Sequence, residues 1–514
     1  MIGPGQLIEG KDITENVAID ADVVVVGSGG GGGPFAYKMA QAGKRVVVLE
    51  AGGYYTSRDF VEREEEMTRL LYVEGGAQGP ADGSLTLYQG KCVGGSTVIN
   101  AMICFRPPER VLDRWRDEFG VQGLGMKDLL PSVEEVEAIV SSHENEAHEI
   151  NRGNRLLMEG ASKLGWHAAP LRRNVKECVL SGFCLLGCAY DRKRSVLVTY
   201  IPMAVEYGAT VIADAEVDQV LHSGGRATGV VGTIRDRATG APRGRIEVRA
   251  KVVALAGGAV QTPCILQRSG LADLSGMVGR NFAVHPSASA TGIFDEKIRG
   301  WRGALCGTYC GEFHEPSKGG FLIEGGMGGP IMTGLTYPDI GDLPRDLAEQ
   351  YEHMANCVSI VHDPGVGRVN YDGKTGKAKI EYALDADTRR RTLLSVRTMA
   401  EIWFSAGARR VVTAFTRPLV LNSPDEVGKI EKMSAGPNDL ALTSYHPQGT
   451  ARMGADKKKT VVASNGESHT TRGLFVVDTS VFPTAVDVNP QITVMSVATH
   501  FARGILAEPG RYFG

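Results

Sequence analysis

Short, wholly apolar runs alternate along this chain with longer stretches whose apolar residues recur at helical spacing, the pattern of a mixed α/β protein containing a parallel sheet. Residues 21–26 (Ala-Asp-Val-Val-Val-Val) lack polar alternation and are rich in β-branched side chains, which predicts a strand buried on both faces. The run leads directly into Gly27-Ser28-Gly29-Gly30-Gly31-Gly32-Gly33, where a helix is predicted to begin. Pro34 suits its first turn, because the N–H that proline lacks has no partner there anyway. Residues 45–49 predict a second parallel strand and residues 251–255 a third. Further on, residues 129–140 predict an acid-rich helix, residues 379–384 a strand and residues 387–406 a long amphipathic helix. A last helix follows Asn489-Pro490.

The glycine turn between the first two strands has the form of a dinucleotide site. Gly27 permits a tight turn, Gly29 lets backbone approach a pyrophosphate, and Gly32 lets helix and strand pack closely. The helix N-terminus then offers amide donors to phosphate. Glu50 ends the second strand about 20 residues beyond the motif, where a carboxylate accepts ribose hydroxyls and disfavours a 2′-phosphate. Glycines follow at once in Glu50-Ala51-Gly52-Gly53, again allowing backbone to pass close to a ligand. These residues leave FAD and NAD both open.

Near the other end, Ser444-Tyr445-His446-Pro447-Gln448-Gly449-Thr450 fixes a histidine ahead of a Gly-Thr turn, and Asn489 follows about forty residues later. An imidazole and a carboxamide make a base and an oxyanion donor for an alcohol, with neither metal nor nucleophile. His446 is assigned as the base and Asn489 as its partner on the same oxygen. Pro490, Gln491 and Thr493 lie at the N-terminus of the last helix, whose positive end favours negative charge on a reduced cofactor.

Ordered segments resemble the glucose-methanol-choline (GMC) flavin oxidoreductases over nearly the whole chain. They are the Gly27 motif, residues 90–100 (Gly-Lys-Cys-Val-Gly-Gly-Ser-Thr-Val-Ile-Asn), residues 256–263, residues 279–286, and the His446 and Asn489 segments. The resemblance implies a Rossmann-like FAD-binding domain with an inserted α+β substrate domain built on an antiparallel sheet. It implies FAD as cofactor, hydride transfer from an alcohol carbon to flavin N5, and His446 and Asn489 as the catalytic pair. The cofactor residues it implies are Gly27, Ser28, Gly29, Gly32, Glu50, Ala51, Gly94, Gly95, Ser96, Asn100, Ala101, Val217, Ala256, Gly257, Asp478, Asn489, Pro490, Gln491 and Thr493. Some relatives attach FAD through a histidine before the position of Asn100. Ile99 stands there and residues 90–105 contain no histidine, so dissociable FAD is expected.

Composition changes the picture in a few respects. A chain of 514 residues with 43% hydrophobic content is expected to form two domains. The FAD domain is assigned to 15–110, 205–285 and 440–514, and the substrate domain to 111–204 and 286–439. A net charge of −3 gives no reason to expect a nucleic-acid partner. No apolar run reaches a membrane span, and the first twenty residues do not read as a secretory signal, so a cytoplasmic enzyme is expected. The expected partners are a small alcohol and an oxygen or quinone-type electron acceptor, with a separate redox subunit left open.

Cys178, Cys184 and Cys188 lie close in sequence, and two readings stand: free thiols, or ligands of an iron–sulfur cluster as in flavin subunits of certain sugar dehydrogenases. The surrounding residues 182–202 resemble instead the long-chain alcohol oxidase and dehydrogenase branch, which favours a hydrophobic long-chain, benzylic or allylic alcohol. A hydroxynitrile-lyase-type activity on the same fold is the remaining alternative. His285 is expected to hydrogen-bond backbone at a domain junction. The glycine tracts at 319–320 and 325–329 are either a mobile lid or ordered turns.

Overall fold

The computed structural model describes residues 3–271, 275–337, 341–436 and 438–514. Two sheets organise it. The first has eight strands, in the order Leu7–Ile8, Thr210–Ile212, Val46–Leu49, Val17–Val26, Pro242–Leu255, Arg226–Arg235 and Ala215–Ser223, with Leu474–Val476 also paired to Pro242–Leu255. The long strand Pro242–Leu255 is shared. Its first part pairs antiparallel with Arg226–Arg235, while its last residues run parallel to both Val17–Val26 and Leu474–Val476.

Val23, Val24, Val25 and Val26 are all buried, as are Val46 to Leu49, which is why these strands carry no polar alternation. Register then does the positioning. Val26 pairs with Leu49 on one side and Leu255 on the other, and Leu255 pairs with Val476. Four parallel strands therefore end in one row, and the next residues, Glu50, Gly27, Ala256 and Val477, open onto the same edge.

The second sheet is antiparallel throughout and has seven strands: Val420–Leu421, Arg410–Thr413, Ser289–Ile293, Met354–Val361, Phe321–Gly325, Thr308–Cys310 and Ala168–Pro170. Helix Ala386–Ser405 covers its back, with Trp403 fully buried and its Nε1–H donating to Ala290 O at 2.9 Å. A small sheet of Arg280–Phe282, Gly367–Asp372 and Lys377–Glu381 stands beside it. The predicted helices at 129–140 and 387–406 occur as Met126–Ile139 and Ala386–Ser405. The predicted strand at 379–384 ends earlier, at Glu381, with Tyr382 turned into the core, where its hydroxyl donates to Asp363.

Among the described residues no helix is long and apolar enough to cross a membrane. The glycines at 319–320 form a turn before Phe321–Gly325, and those at 325–329 lead into the short helix Pro330–Thr336. Glu64 caps that helix from across the cleft, accepting the N–H groups of Ile331 at 2.7 Å and Met332 at 3.2 Å.

Candidate active site

Between the strand ends of the first sheet and the face of the second lies a cavity of about 740 Å³. Its floor is Gly27, Gly29, Glu50, Ala51, Ala256 and Gly257, and its roof includes Glu324, Asn356 and Val358.

The glycine turn is built as close packing requires. Gly27 has φ +99°, and a Cβ on it would lie 2.4 Å from Ala256 O. A Cβ on Gly32 would lie 1.9 Å from Gly27 O, so this glycine serves the contact between strand and helix Gly32–Gln41. Gly29 differs: the nearest atom to its Cβ position is Gly95 Cα at 3.8 Å, and the space beyond belongs to the cavity. Backbone without side chains thus faces an open volume at a helix N-terminus, which suits a pyrophosphate.

Glu50 lines the cavity and is buried, which raises its pKa, and three donors hold it: Ser28 N–H at 2.9 Å, Ser28 O–H at 2.7 Å and Gly52 N–H at 2.9 Å. Both Ser28 donors go to Oε2, so the free lone pair is on Oε1, which accepts only Gly52 N–H and is left for a ribose hydroxyl. Ser28 Oγ also accepts Gly94 N–H at 2.9 Å, so it ties the 90–100 loop to the dinucleotide turn rather than facing ligand. Asp478 is likewise engaged by protein, accepting Gly258 N–H at 2.8 Å and Thr262 O–H at 2.6 Å on one oxygen and Ser480 on the other. Of the cofactor residues expected from sequence, Gly95, Ser96, Asn100, Ala101, Val217, Asp478, Asn489, Pro490 and Gln491 also line the cavity. Ser28, Gly32, Gly94 and Thr493 lie behind its wall.

Lys193 was not anticipated. Fully buried, it donates to Val98 O at 2.8 Å, Asn100 O at 2.6 Å and Cys184 O at 3.0 Å, and burial lowers its pKa to about 8. Its three hydrogens pin the cysteine segment to the loop that lines the cavity. Lys193→Met would leave three carbonyls short of a donor, at about 1–3 kcal/mol each where they stay dry. Thermal unfolding of the holoprotein is expected to show a lower Tm together with earlier release of flavin. An unchanged Tm would contradict the role.

None of the nine cysteines is paired in a disulfide, and Cys178, Cys184 and Cys188 are partly exposed. Among the described residues no group of three or more His, Cys, Asp or Glu side chains is arranged to hold a metal.

His446 and Asn489 both line the cavity. His446 Nδ1 lies 3.3 Å from His285 Nδ1, so one of the two carries a proton and the other accepts it. His285 Nε2 accepts Asp487 N–H at 3.2 Å, which places the His285 proton on Nδ1 and makes His446 Nδ1 the acceptor when both rings are neutral. Burial keeps them neutral, lowering His446 to about 3 and His285 well below its ordinary value. In this arrangement His446 carries its own proton on Nε2. Exchange to the tautomer with a free Nε2 lone pair costs the Asp487 hydrogen bond, about 1–3 kcal/mol. His285 does bond backbone, as expected, but it also sets the tautomer of the His446 ring.

Glu324 is the second residue that sequence reasoning missed. It accepts Asn489 Nδ2–H at 3.4 Å on Oε2, and burial raises its pKa to about 8. The available signal was an acid near the end of the apolar run 321–325, where strand pairing on both sides leaves no solvent for it.

The site and fold define a flavin-dependent oxidoreductase, and comparison with known proteins gives its family. Models described as GMC oxidoreductase match residues 68–287 and 364–498, and one described as FAD binding domain matches 22–58. A GMC-type oxidoreductase of Mycobacterium tuberculosis, itself uncharacterised, is 34% identical over 491 residues, which cover 95% of this chain and 76% of that one. A long-chain-alcohol oxidase of Arabidopsis thaliana is 30% identical, covering 94% of this chain and 67% of the relative. Among solved structures, pyridoxine 4-oxidase from Mesorbium loti superposes with a TM-score of 0.68 at 18% identity, covering 95% of this chain and 99% of that one. The chain belongs to the GMC oxidoreductase family, and its cofactor is FAD.

Proposed function

We propose that the protein oxidises a hydrophobic primary or secondary alcohol to an aldehyde or ketone. One observation carries the reading: an imidazole and a carboxamide from segments some forty residues apart face the same cavity as the dinucleotide turn. Bound FAD supplies a hydride acceptor at the flavin N5. The chain's residues must do the rest. His446, after the tautomer exchange with His285, accepts the hydroxyl proton, and Asn489 bonds the same oxygen as it gains negative charge. Gly29, Glu50 and the 90–100 loop hold the cofactor, without a histidine at the position of Ile99 to attach it.

Ile103, Leu185, Leu305, Met327 and Met332 line the cavity, which supports an apolar substrate. The similarity to a long-chain-alcohol oxidase supports the same class. The test is an anaerobic panel of long-chain, benzylic and allylic alcohols against sugars, with loss of the oxidised flavin absorption as readout. Bleaching by the apolar alcohols, with aldehyde formed in equal amount, is the expected result. Aldehyde release without bleaching would indicate a lyase, and bleaching by sugars alone would overturn the substrate class. Reoxidation by oxygen or by a quinone dye then distinguishes oxidase from dehydrogenase.

A further inference from the structure

The helix Pro330–Thr336 forms a wall one helix thick. Met332, Thr333 and Thr336 on its inner side line the cavity, while Ile331 and Leu335, four residues apart on its outer side, are 50% and 64% exposed. Thr333 and the preceding Met327 are buried although both line the cavity, so the wall is closed here. Exposed lining residues such as Gly376 and Lys377 mark an opening elsewhere, beside Glu216 and Arg268. Arg268 donates to Val217 O at 2.9 Å, which puts that opening at the end assigned to the cofactor. With FAD in place, a substrate needs a second way in.

The helix is tied differently on its two sides. Toward the second sheet it is tethered just beyond each end: Tyr351 O–H donates to Gly328 O at 2.7 Å, and Tyr337 O–H donates to Thr291 Oγ1 at 2.5 Å. Toward the opposite wall, its hydrogen bonds among the described residues go to Glu64 alone, which accepts the N–H groups of Ile331 and Met332. Glu64 opens helix Glu64–Leu71, whose Met67 and Leu71 are fully buried, so its base is fixed. The segment leading into Pro330 is Gly326-Met327-Gly328-Gly329, which can absorb a change in backbone angles.

We propose that Pro330–Thr336 is the substrate gate and Glu64 its latch, the helix swinging outward on residues 326–329 when Glu64 releases the Ile331 and Met332 N–H groups. The gate rests on the alcohol-oxidation reading and gives that site its entrance. Gly329 shows how closely latch and helix fit. A Cβ there would lie 2.3 Å from Glu64 Cδ and 2.5–2.6 Å from the two carboxylate oxygens. Gly329 has φ −66°, which any residue adopts, so Gly329→Ala leaves the backbone unstrained and displaces the carboxylate, the movable end of a long side chain. Latch and hinge can therefore be disturbed from either partner.

Trapping the gate shut is the direct test. The holoenzyme carrying both Glu64→Cys and Gly329→Cys has its two new thiols within reach of a disulfide, because the 329 Cβ position lies against the Glu64 side chain. Once oxidised, this variant is expected to lose anaerobic flavin bleaching by alcohol, and a thiol reductant is expected to restore it. Each single variant, oxidised alike, is expected to keep its bleaching, which excludes an effect of the native thiols. Bleaching at the wild-type rate with the disulfide confirmed by mass spectrometry overturns the proposal.

Quenching of the bound flavin's emission by acrylamide reads access to the cavity without any substrate. Glu64→Ala and Gly329→Ala each remove the latch, and each is expected to raise the open population by about 10-fold or more, the weight of a hydrogen bond to a charged group. Quenching should steepen accordingly in both. Glu64→Gln, which keeps one acceptor oxygen, is expected to fall between them and wild type. Unchanged quenching in both alanine variants overturns the proposal. If no alcohol bleaches the flavin in any form, the functional reading fails, while the quenching comparison still decides whether this helix opens.

Discussion

Replacing His446 by alanine is expected to slow anaerobic flavin reduction by about 10²–10⁴-fold while the purified protein stays yellow. The separation of the two effects is the informative part. His446 lies on the cavity wall, but the contacts that hold the turn around it come from neighbours: Ser444 O–H donates to Val284 O, Gln448 N–H to Ala283 O at 2.8 Å, and Thr450 O–H to Ala259 O at 2.8 Å. None of these uses the imidazole. His446→Ala removes the proton acceptor and leaves His285 Nδ1–H without one, a local cost, while the dinucleotide turn on the far strand ends is untouched.

The pH profile gives an independent check. An imidazole at its ordinary 6.5 would protonate and stop serving as a base as pH falls through that value; His446, lowered to about 3 by burial, stays neutral. Reduction is therefore expected to show no acid limb near 6.5 in wild type. A limb there that disappears in His446→Ala would mean that the ring is less desolvated with FAD and substrate in place.

Much of this site is written locally and some of it is not, and the difference is physical. The turn at Gly27 is legible because strand, glycines and helix are contiguous: Gly27 and Gly32 answer close backbone contacts with Ala256 and with Gly27, and Gly29 leaves space open toward the cavity. Glu50 is legible for the same reason, being the first residue after a buried strand. The contact of His285 with His446 spans 161 positions, and that of Asn489 with Glu324 spans 165. Such pairs depend on how the second sheet is laid over the first, which no local pattern encodes. Lys193 shows the limit from another side: a lysine among Asp191, Arg192 and Arg194 reads as solvated, and only the fold reveals that three backbone carbonyls surround it.

Two glycines of one motif are expected to fail in different ways. Gly32→Ala places a Cβ 1.9 Å from Gly27 O and 3.1 Å from the Ala256 Cβ, and neither neighbour is a flexible side-chain end. Strand and helix must move apart, and the cost belongs to the exceptional class above about 4 kcal/mol. Little folded protein is expected, with or without FAD in the medium. Gly29→Ala meets only Gly95 Cα at 3.8 Å, an ordinary contact, and its φ is not in the left-handed region. The apoprotein should fold with an unchanged far-ultraviolet spectrum. Its new methyl group, however, stands in the space where backbone approaches the cofactor, and overpacking of about 1–3 kcal/mol there lowers FAD affinity by roughly 5- to 150-fold. Titration of each apoprotein with FAD separates the cases. As a control, Gly504→Ala lies on helix Gln491–Ala507 with nothing within 4 Å, and is expected to fold, bind FAD and gain up to about 1 kcal/mol in stability. If Gly29→Ala bound FAD as tightly as wild type, the cofactor would not run over this turn, and the assignment of the cavity floor to the pyrophosphate would be wrong.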